Sequence, residues 1–298
     1  MVRLEHVAKQ FGTTMAVSDV SFAIKKGEIV GFVGANGAGK TTTISMLLGF
    51  ISPTQGEVRL FGQPVHPSSA HQLHTRIGYA AGDMELPAKL TGEQFLDFVG
   101  HQSRGSHEKR RKELVEKFKP QLDKKIGTLS RGNKQKVALI AAFMTSPELV
   151  VLDEPTSGLD PVLQEVFLQL VREARANGTT IFMSSHYLNE VADVCSRIIL
   201  MRSGKVIRDL SAKEMLAGSG KAVRVVSGYK ALRPPQGVSD VEVTTEGTNT
   251  VLSFVSRLAP SELQVWLAGV KQLKDIEVTE YNLEGVFKSL YEDEEASV

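Results

Sequence analysis

The stretch Val30-Gly-Phe-Val-Gly-Ala-Asn-Gly-Ala-Gly-Lys-Thr-Thr42 constrains this chain more than any other. Ile29 to Val33 reads as a short, wholly apolar strand, and Thr42 to Leu48 reads as a helix. The link between them, Gly34 to Thr41, fits G-x-x-x-x-G-K-[ST], a loop built to wrap an anion. Glycines at 34, 37 and 39 let the backbone of Gly34, Ala35, Asn36, Gly37, Ala38 and Gly39 curl until several N–H groups point at one centre. Lys40 adds a point charge for β- and γ-phosphates, and the Thr41 hydroxyl is placed to ligate Mg²⁺. Thr42 opens the helix, whose positive end faces the phosphates. A nucleoside triphosphate is the first ligand this unit implies.

The rest of the chain alternates in the same way. Val2 to Val7, Ala16 to Ile24, Gly56 to Phe61 and Ile77 to Tyr79 read as strands. From about Thr91 to Thr145 the pattern is helical, with Phe95, Phe98 and Val99 on one face and Leu114, Val115 and Phe118 on another. Leu149 to Leu152 is a continuous apolar run, as in a strand buried on both faces. Pro161 to Ala176 reads as a helix, with Asp160 at its N-cap and Pro161 in its first turn. Thr179 to Met183 reads as a strand, Tyr187 to Cys195 as a helix and Arg197 to Met201 as a strand. Alternation with buried apolar strands predicts an α/β fold. Past Ala217-Gly-Ser-Gly220 the character changes to short β segments with helices at Pro260 to Val270 and Leu283 to Tyr291. This predicts two domains, 1–217 and a small α+β domain at 218–298.

Composition narrows the function. The net charge is +1, so no global basic field argues for nucleic acid. A single cysteine, Cys195, excludes an internal disulfide and suits a reducing compartment. It falls in an apolar helical pattern and reads as a small core hydrophobe. The N-terminal residues carry charges where a signal peptide needs an apolar block, and no apolar run is long enough to span a bilayer. The chain therefore reads as cytosolic, with any membrane role exerted through a partner. His66, His71 and His74 lack companion ligands and read as surface residues. Glu108 to Glu113 reads as a solvated charged face, and Trp266 as core.

Further segments carry chemistry. Leu149-Val-Val-Leu-Asp-Glu-Pro155 is an apolar strand ending in two carboxylates. Asp153 suits a Mg²⁺ ligand beside the phosphate loop, and Glu154 suits a group that orients or deprotonates the attacking water. Leu129-Ser-Arg-Gly-Asn133 opens a helix whose Ser130 and Gly132 offer a hydroxyl and a bare backbone to an anion. Thr156 to Asp160 follows Glu154, and Ser184-Ser-His186 places an imidazole after the next strand, where it can hydrogen-bond a γ-phosphate.

In this order the segments resemble the ATP-binding subunit of an ABC transporter over about residues 1–215. Gly34 to Thr42 is similar to that family's Walker A, Leu129 to Asn133 to its signature and Leu149 to Glu154 to its Walker B. Ser157 to Asp160 resembles its D-loop, and His186 its switch histidine. Phe11 falls where the family stacks an aromatic on adenine, or it packs the strand. The resemblance implies a P-loop NTPase cassette: a RecA-like core, a β-subdomain and an inserted helical subdomain at about 84–146. It implies ATP and Mg²⁺ as cofactors, with Lys40, Glu154 and His186 catalytic. It also implies a head-to-tail dimer in which Ser130 and Gly132 of one copy complete the other's site, and it counts Asp160 of the D-loop among the nucleotide-binding residues. Separate transmembrane permease subunits would be the partners, at the cytoplasmic face of the membrane, with no nucleic acid.

Two departures stand out. Arg131 and Asn133 replace the family's Gly and Gln. After Tyr79 the family has a Gln that ligates Mg²⁺ and senses the partner, whereas this chain has Ala80-Ala-Gly-Asp83. Asp83, a backbone carbonyl or a water would then fill the place left at Gly82. The segment Glu280 to Leu290 and the basic third residue of the signature resemble subunits of drug and antibiotic exporters. The other readings are a soluble ABC ATPase acting on ribosomes or DNA and a nucleotide-gated regulator with little hydrolysis.

Overall fold

The computed structural model describes residues 1–82, 85–103, 107–185, 191, 194–212, 214 and 220–280. The chain divides into two compact units, Met1–Ser211 and Ala212–Val298.

The first unit is built on β3 (Ile29–Val33), β7 (Leu149–Asp153) and β8 (Thr180–Ser185), strands buried along their whole length. Such strands need cover on both faces, which explains their unbroken apolar sequence. They run parallel with β6 (Ile77–Ala81) and β9 (Arg197–Arg202) in the order β9-β3-β8-β7-β6. Beyond β9 come β10 (Lys205–Ser211), β2 (Thr14–Ile24), β1 (Val2–Phe11), β4 (Gln55–Leu60) and β5 (Gln63–Pro64), completing one sheet of ten strands. Phe22, Phe32 and Phe182 meet at the centre with ring centroids 5.3–5.8 Å apart.

Helices α1 (Lys40–Leu47) and α2 (His71–His74) precede β6, and α3 (Gly92–Gln102), α4 (Glu108–Phe118) and α5 (Arg131–Met144) follow it. Next comes α6 (Pro161–Ala176), capped by Asp160, whose carboxylate accepts from the Leu163 N–H at 2.9 Å. Pro161 fills the first turn as expected.

Several sequence expectations need correction. The helix after the phosphate loop starts at Lys40, not Thr42, because Gly39 adopts φ 105° and turns the chain into it directly. Ser184 and Ser185 belong to β8 rather than following it. On α3 the inward face is Phe95 and Leu96, while Phe98 is 55% exposed. The charged run on α4 is not wholly a solvated face, since Arg111 reaches Glu93 and Asp97 on α3, each at 2.6 Å. Strand β10, which no sequence pattern suggested, returns antiparallel to β9 through the Ser203-Gly204 turn, where both residues have positive φ. Cys195 is buried as expected, and burial pushes its thiol well above the ordinary thiol range.

The second unit is an antiparallel sheet in the order β12 (Val238–Glu246), β13 (Asn249–Ser256), β11 (Lys221–Ser227), β14 (Leu273–Glu280). Helix α7 (Pro260–Ala268) sets Leu263 onto Val223, Val225, Leu252 and Phe254. Trp266 is half-buried at the edge of this core, with its indole N–H donating to Arg233 O at 3.2 Å. The helices expected at 187–195 and 283–291 lie wholly or mostly outside the described residues.

Candidate active site

The end of β3 and the start of α1 form one wall of the site. Ala35, Asn36 and Gly37 are exposed, while Gly34 and Ala38 are buried. Gly39 is the pivot: besides its positive φ, an added Cβ would lie 2.7 Å from Ala16 O, so only glycine fits. Lys40 is 5% exposed. Its ammonium donates to Gly34 O at 2.7 Å and Ala35 O at 3.3 Å, and lies 3.6 Å from the Glu154 carboxylate. The loop's own carbonyls thus hold the cation above the exposed backbone. Thr41 is exposed at the helix start, Thr42 is half-buried, and the Thr43 hydroxyl donates back to Gly39 O at 2.9 Å.

The second wall is the C-terminal end of β7. In the parallel register Asp153 lies between Ala81 of β6 and Ser184 of β8. It is buried and accepts a short hydrogen bond from the Ser184 hydroxyl. That oxygen in turn accepts from the Glu154 N–H at 3.0 Å. Glu154 has φ 50°, a backbone conformation that non-glycine residues rarely adopt. The turn swings its side chain out of the strand line and toward Lys40. Tyr79, half-buried on β6, is pushed up to about 12 by burial and then by the charge of Asp153. Sequence reasoning singled out the Ser184 segment for His186 and gave Ser184 itself no role, because its bond to Asp153 depends on the register of β8 against β7.

The third element is the N-terminus of α5. Ser130 caps it, accepting from the Asn133 N–H at 3.4 Å and the Asn133 amide at 3.3 Å. Asn133 also accepts from the Gln121 N–H at 3.2 Å. Arg131 donates to the Ser157 hydroxyl at 2.7 Å, and buried Gln135 donates to Pro155 O at 2.7 Å. The α5 turn is therefore fastened to the loop that follows Glu154. Asp160 serves that loop as the α6 cap.

Phe11 is 50% exposed, with the Lys9 ammonium 5.1 Å from its ring centroid, so it does not pack into the sheet core. Asp83 and His186 lie outside the described residues. Gly82 is informative: its N–H donates to Asp153 O at 2.8 Å, and an added Cβ would lie 2.8 Å from Glu154 O and 3.0 Å from Ser157 Cβ. The place where the resemblance leads one to expect Gln has no room for a side chain. Restoring the residue by Gly82→Gln is expected to displace the Glu154 turn. It should lower kcat and destabilise the fold by about 1–3 kcal/mol, read by ATPase assay and thermal unfolding.

Among the described residues no cluster of His, Cys, Asp and Glu could hold a metal by those groups alone, which includes His66, His71 and His74. No described helix is long and apolar enough to cross a membrane.

Comparison with known proteins places this geometry. Residues 17–157 match the model of the ABC transporter family. The linearmycin resistance ATP-binding protein LnrL of Bacillus subtilis is 32% identical over 97% of this chain and 98% of its own. The bacitracin transport ATP-binding protein BcrA of Enterococcus faecalis is 34% identical over 72% of this chain and 70% of its own. Among solved structures, a dimeric ATP-binding cassette in a post-hydrolysis state bound to ADP and Pi superposes with TM-score 0.66. It is 26% identical, covering 71% of this chain and 99% of that one. The chain belongs to the ABC transporter family, as an ATP-binding, ATP-hydrolysing subunit.

Proposed function

We propose that this chain powers an ABC exporter by closing head to tail on a second copy around ATP, with hydrolysis reopening the pair. The observation that carries the reading is the Lys40–Glu154 pair at 3.6 Å, a nearly buried cation facing a partly exposed carboxylate. A triphosphate seated on the loop brings its γ-phosphate between them. Lys40 then exchanges loop carbonyls for phosphate oxygens, a stronger charge-assisted set. Phe11, exposed at the end of β1, stacks on the adenine. Glu154, turned out of β7 by its backbone, holds the attacking water against the γ-phosphorus and draws its proton. His186 hydrogen-bonds the γ-phosphate, a role that rests on its place in the sequence.

The oxygen donors on Thr41 and Asp153 suit a hard divalent cation such as Mg²⁺, and the tight packing around Gly82 excludes a side-chain ligand from that position. When bound, the ion neutralises charge on the phosphates. Ser130 and Gly132 supply a hydroxyl, a backbone N–H and the positive end of α5 to the other copy's γ-phosphate. Solved cassettes of this fold that are dimeric support the association of two copies. Asp160 contributes by capping the loop that approaches the same junction.

Export is supported by relatives whose names specify bacitracin transport and linearmycin resistance. The driven partner is then a separate membrane protein, and the chain sits on its cytoplasmic face. Affinity purification of the tagged chain from detergent-solubilised cells tests this. A multispanning membrane protein should co-purify and raise the ATPase rate severalfold in proteoliposomes. Recovery with ribosomes or DNA in place of a membrane protein would favour the soluble reading.

A further inference from the structure

The signature turn departs from its family at Arg131, and that residue does something specific. Its guanidinium donates to the Ser157 hydroxyl at 2.7 Å, across twenty-six residues of sequence. Beneath that bond the two backbones touch, since an added Cβ on Gly132 would lie 2.7 Å from Gly158 O. The Arg131 side chain covers Gly158 from above, its Cγ 3.3 Å from where a Gly158 Cβ would be. One turn further along α5, Gln135 is 2% exposed and donates to Pro155 O at 2.7 Å. Pro155 adjoins Glu154, whose own N–H is held by Ser184. A continuous set of short contacts therefore runs from the first turn of α5 to the peptide that carries the Glu154 carboxylate. Two glycines and a buried amide leave this junction little room to slide, and Arg131 closes its open side.

We propose that Arg131 is a positioning residue that locks the signature turn to the loop after Glu154, so that a γ-phosphate met by α5 is felt at the Glu154 of the same chain. The inference rests on the head-to-tail reading, in which that phosphate belongs to ATP on the second copy. Each chain then senses its partner's nucleotide with α5 and adjusts its own carboxylate through Arg131 and Ser157. The two sites of the dimer are coupled through a bond inside each chain. Arg131 itself need not touch either nucleotide. Because the bond runs to one hydroxyl, a lysine can still make it, unlike at a bidentate site.

The test is ATP hydrolysis by the full chain as a function of ATP concentration, for wild type, Arg131→Ala, Arg131→Lys, Ser157→Ala and the Arg131→Ala/Ser157→Ala double variant. Arg131→Ala and Ser157→Ala should each lower kcat about fivefold, the net scale of one ordinary, solvent-accessible hydrogen bond. Each should also bring the Hill coefficient toward about 1. The double variant should be no worse than Arg131→Ala alone, because the bond that Ser157→Ala removes is already gone there. Arg131→Lys should recover most of kcat and the cooperativity. Binding of a fluorescent ATP analogue to the isolated chain should be unchanged in all four, and the thermal midpoint should fall by no more than a few degrees, the scale of one lost hydrogen bond; a general loss of folding would lower both. Additive losses in the double variant, or a Ser157→Ala enzyme that matches wild type, would overturn the inference while leaving the dimer reading intact. A wild type that hydrolyses ATP without any dimer forming overturns the dimer reading and this inference with it.

Discussion

Glu154→Gln should lower kcat about 10²–10⁴-fold while nucleotide affinity holds or rises. The substitution keeps the shape and hydrogen-bonding reach of the side chain, and it leaves the Glu154 N–H on Ser184. What it removes is the basic oxygen and the negative charge. Without the first, nothing at this position can take the proton of the attacking water. Without the second, the γ-phosphate no longer faces a carboxylate, and Lys40 no longer has an acidic partner competing with the phosphate. The bound triphosphate then persists. Phosphate release measured at saturating ATP, with binding measured separately, distinguishes this result from a general loss of folding.

Lys40→Ala should act on the opposite quantity. The ammonium is almost wholly buried and held by two loop carbonyls, so it is already desolvated before ATP arrives. The fold itself therefore meets much of the cost of ordering the cation. Removing it should weaken ATP binding about 100-fold or more, in line with the 2–5 kcal/mol that accompanies loss of one partner from a desolvated charge pair. Thermal stability should change far less, because Glu154 is partly exposed and turns to water. Titration calorimetry with ATP measures the first effect and a thermal melt the second. Equal affinity in the variant and the parent would mean that the loop amides alone carry the phosphate.

Much of this site was legible because its parts are local. The strand–loop–helix from Ile29 to Leu47 needs only apolar residues, glycines and one lysine in the right order, and the fold keeps that order, with the helix opening at Lys40 instead of Thr42. Asp160-Pro161 announced a helix start by capping chemistry, and the start is there. Leu149 to Asp153 announced a doubly buried strand by its lack of alternation. The errors arose where partners are distant in sequence. Strand β10 mixes polar and apolar residues without a clean alternation, and its pairing with β9 makes it a strand. Phe98 fits the apolar period of α3, yet the helix rolls so that Leu96 is buried in its place. The packing at Gly82 and the Arg131–Ser157 bond depend on the register of β6 against β7 and on where α5 meets the loop after Glu154. No spacing within a single segment reports either. Read as a sequence, Gly82 was a missing ligand; in the fold it is a close backbone approach.

The central claim is that ATP joins two copies of this chain. Light scattering on Glu154→Gln protein eluting from a size-exclusion column, with and without Mg·ATP, tests it most directly. The account predicts a monomer without nucleotide and with ADP, and a dimer of twice that mass with ATP. Combining Glu154→Gln with Ser130→Arg, which blocks the α5 turn, should abolish the dimer without abolishing ATP binding. A Glu154→Gln protein that binds ATP and stays monomeric would contradict it.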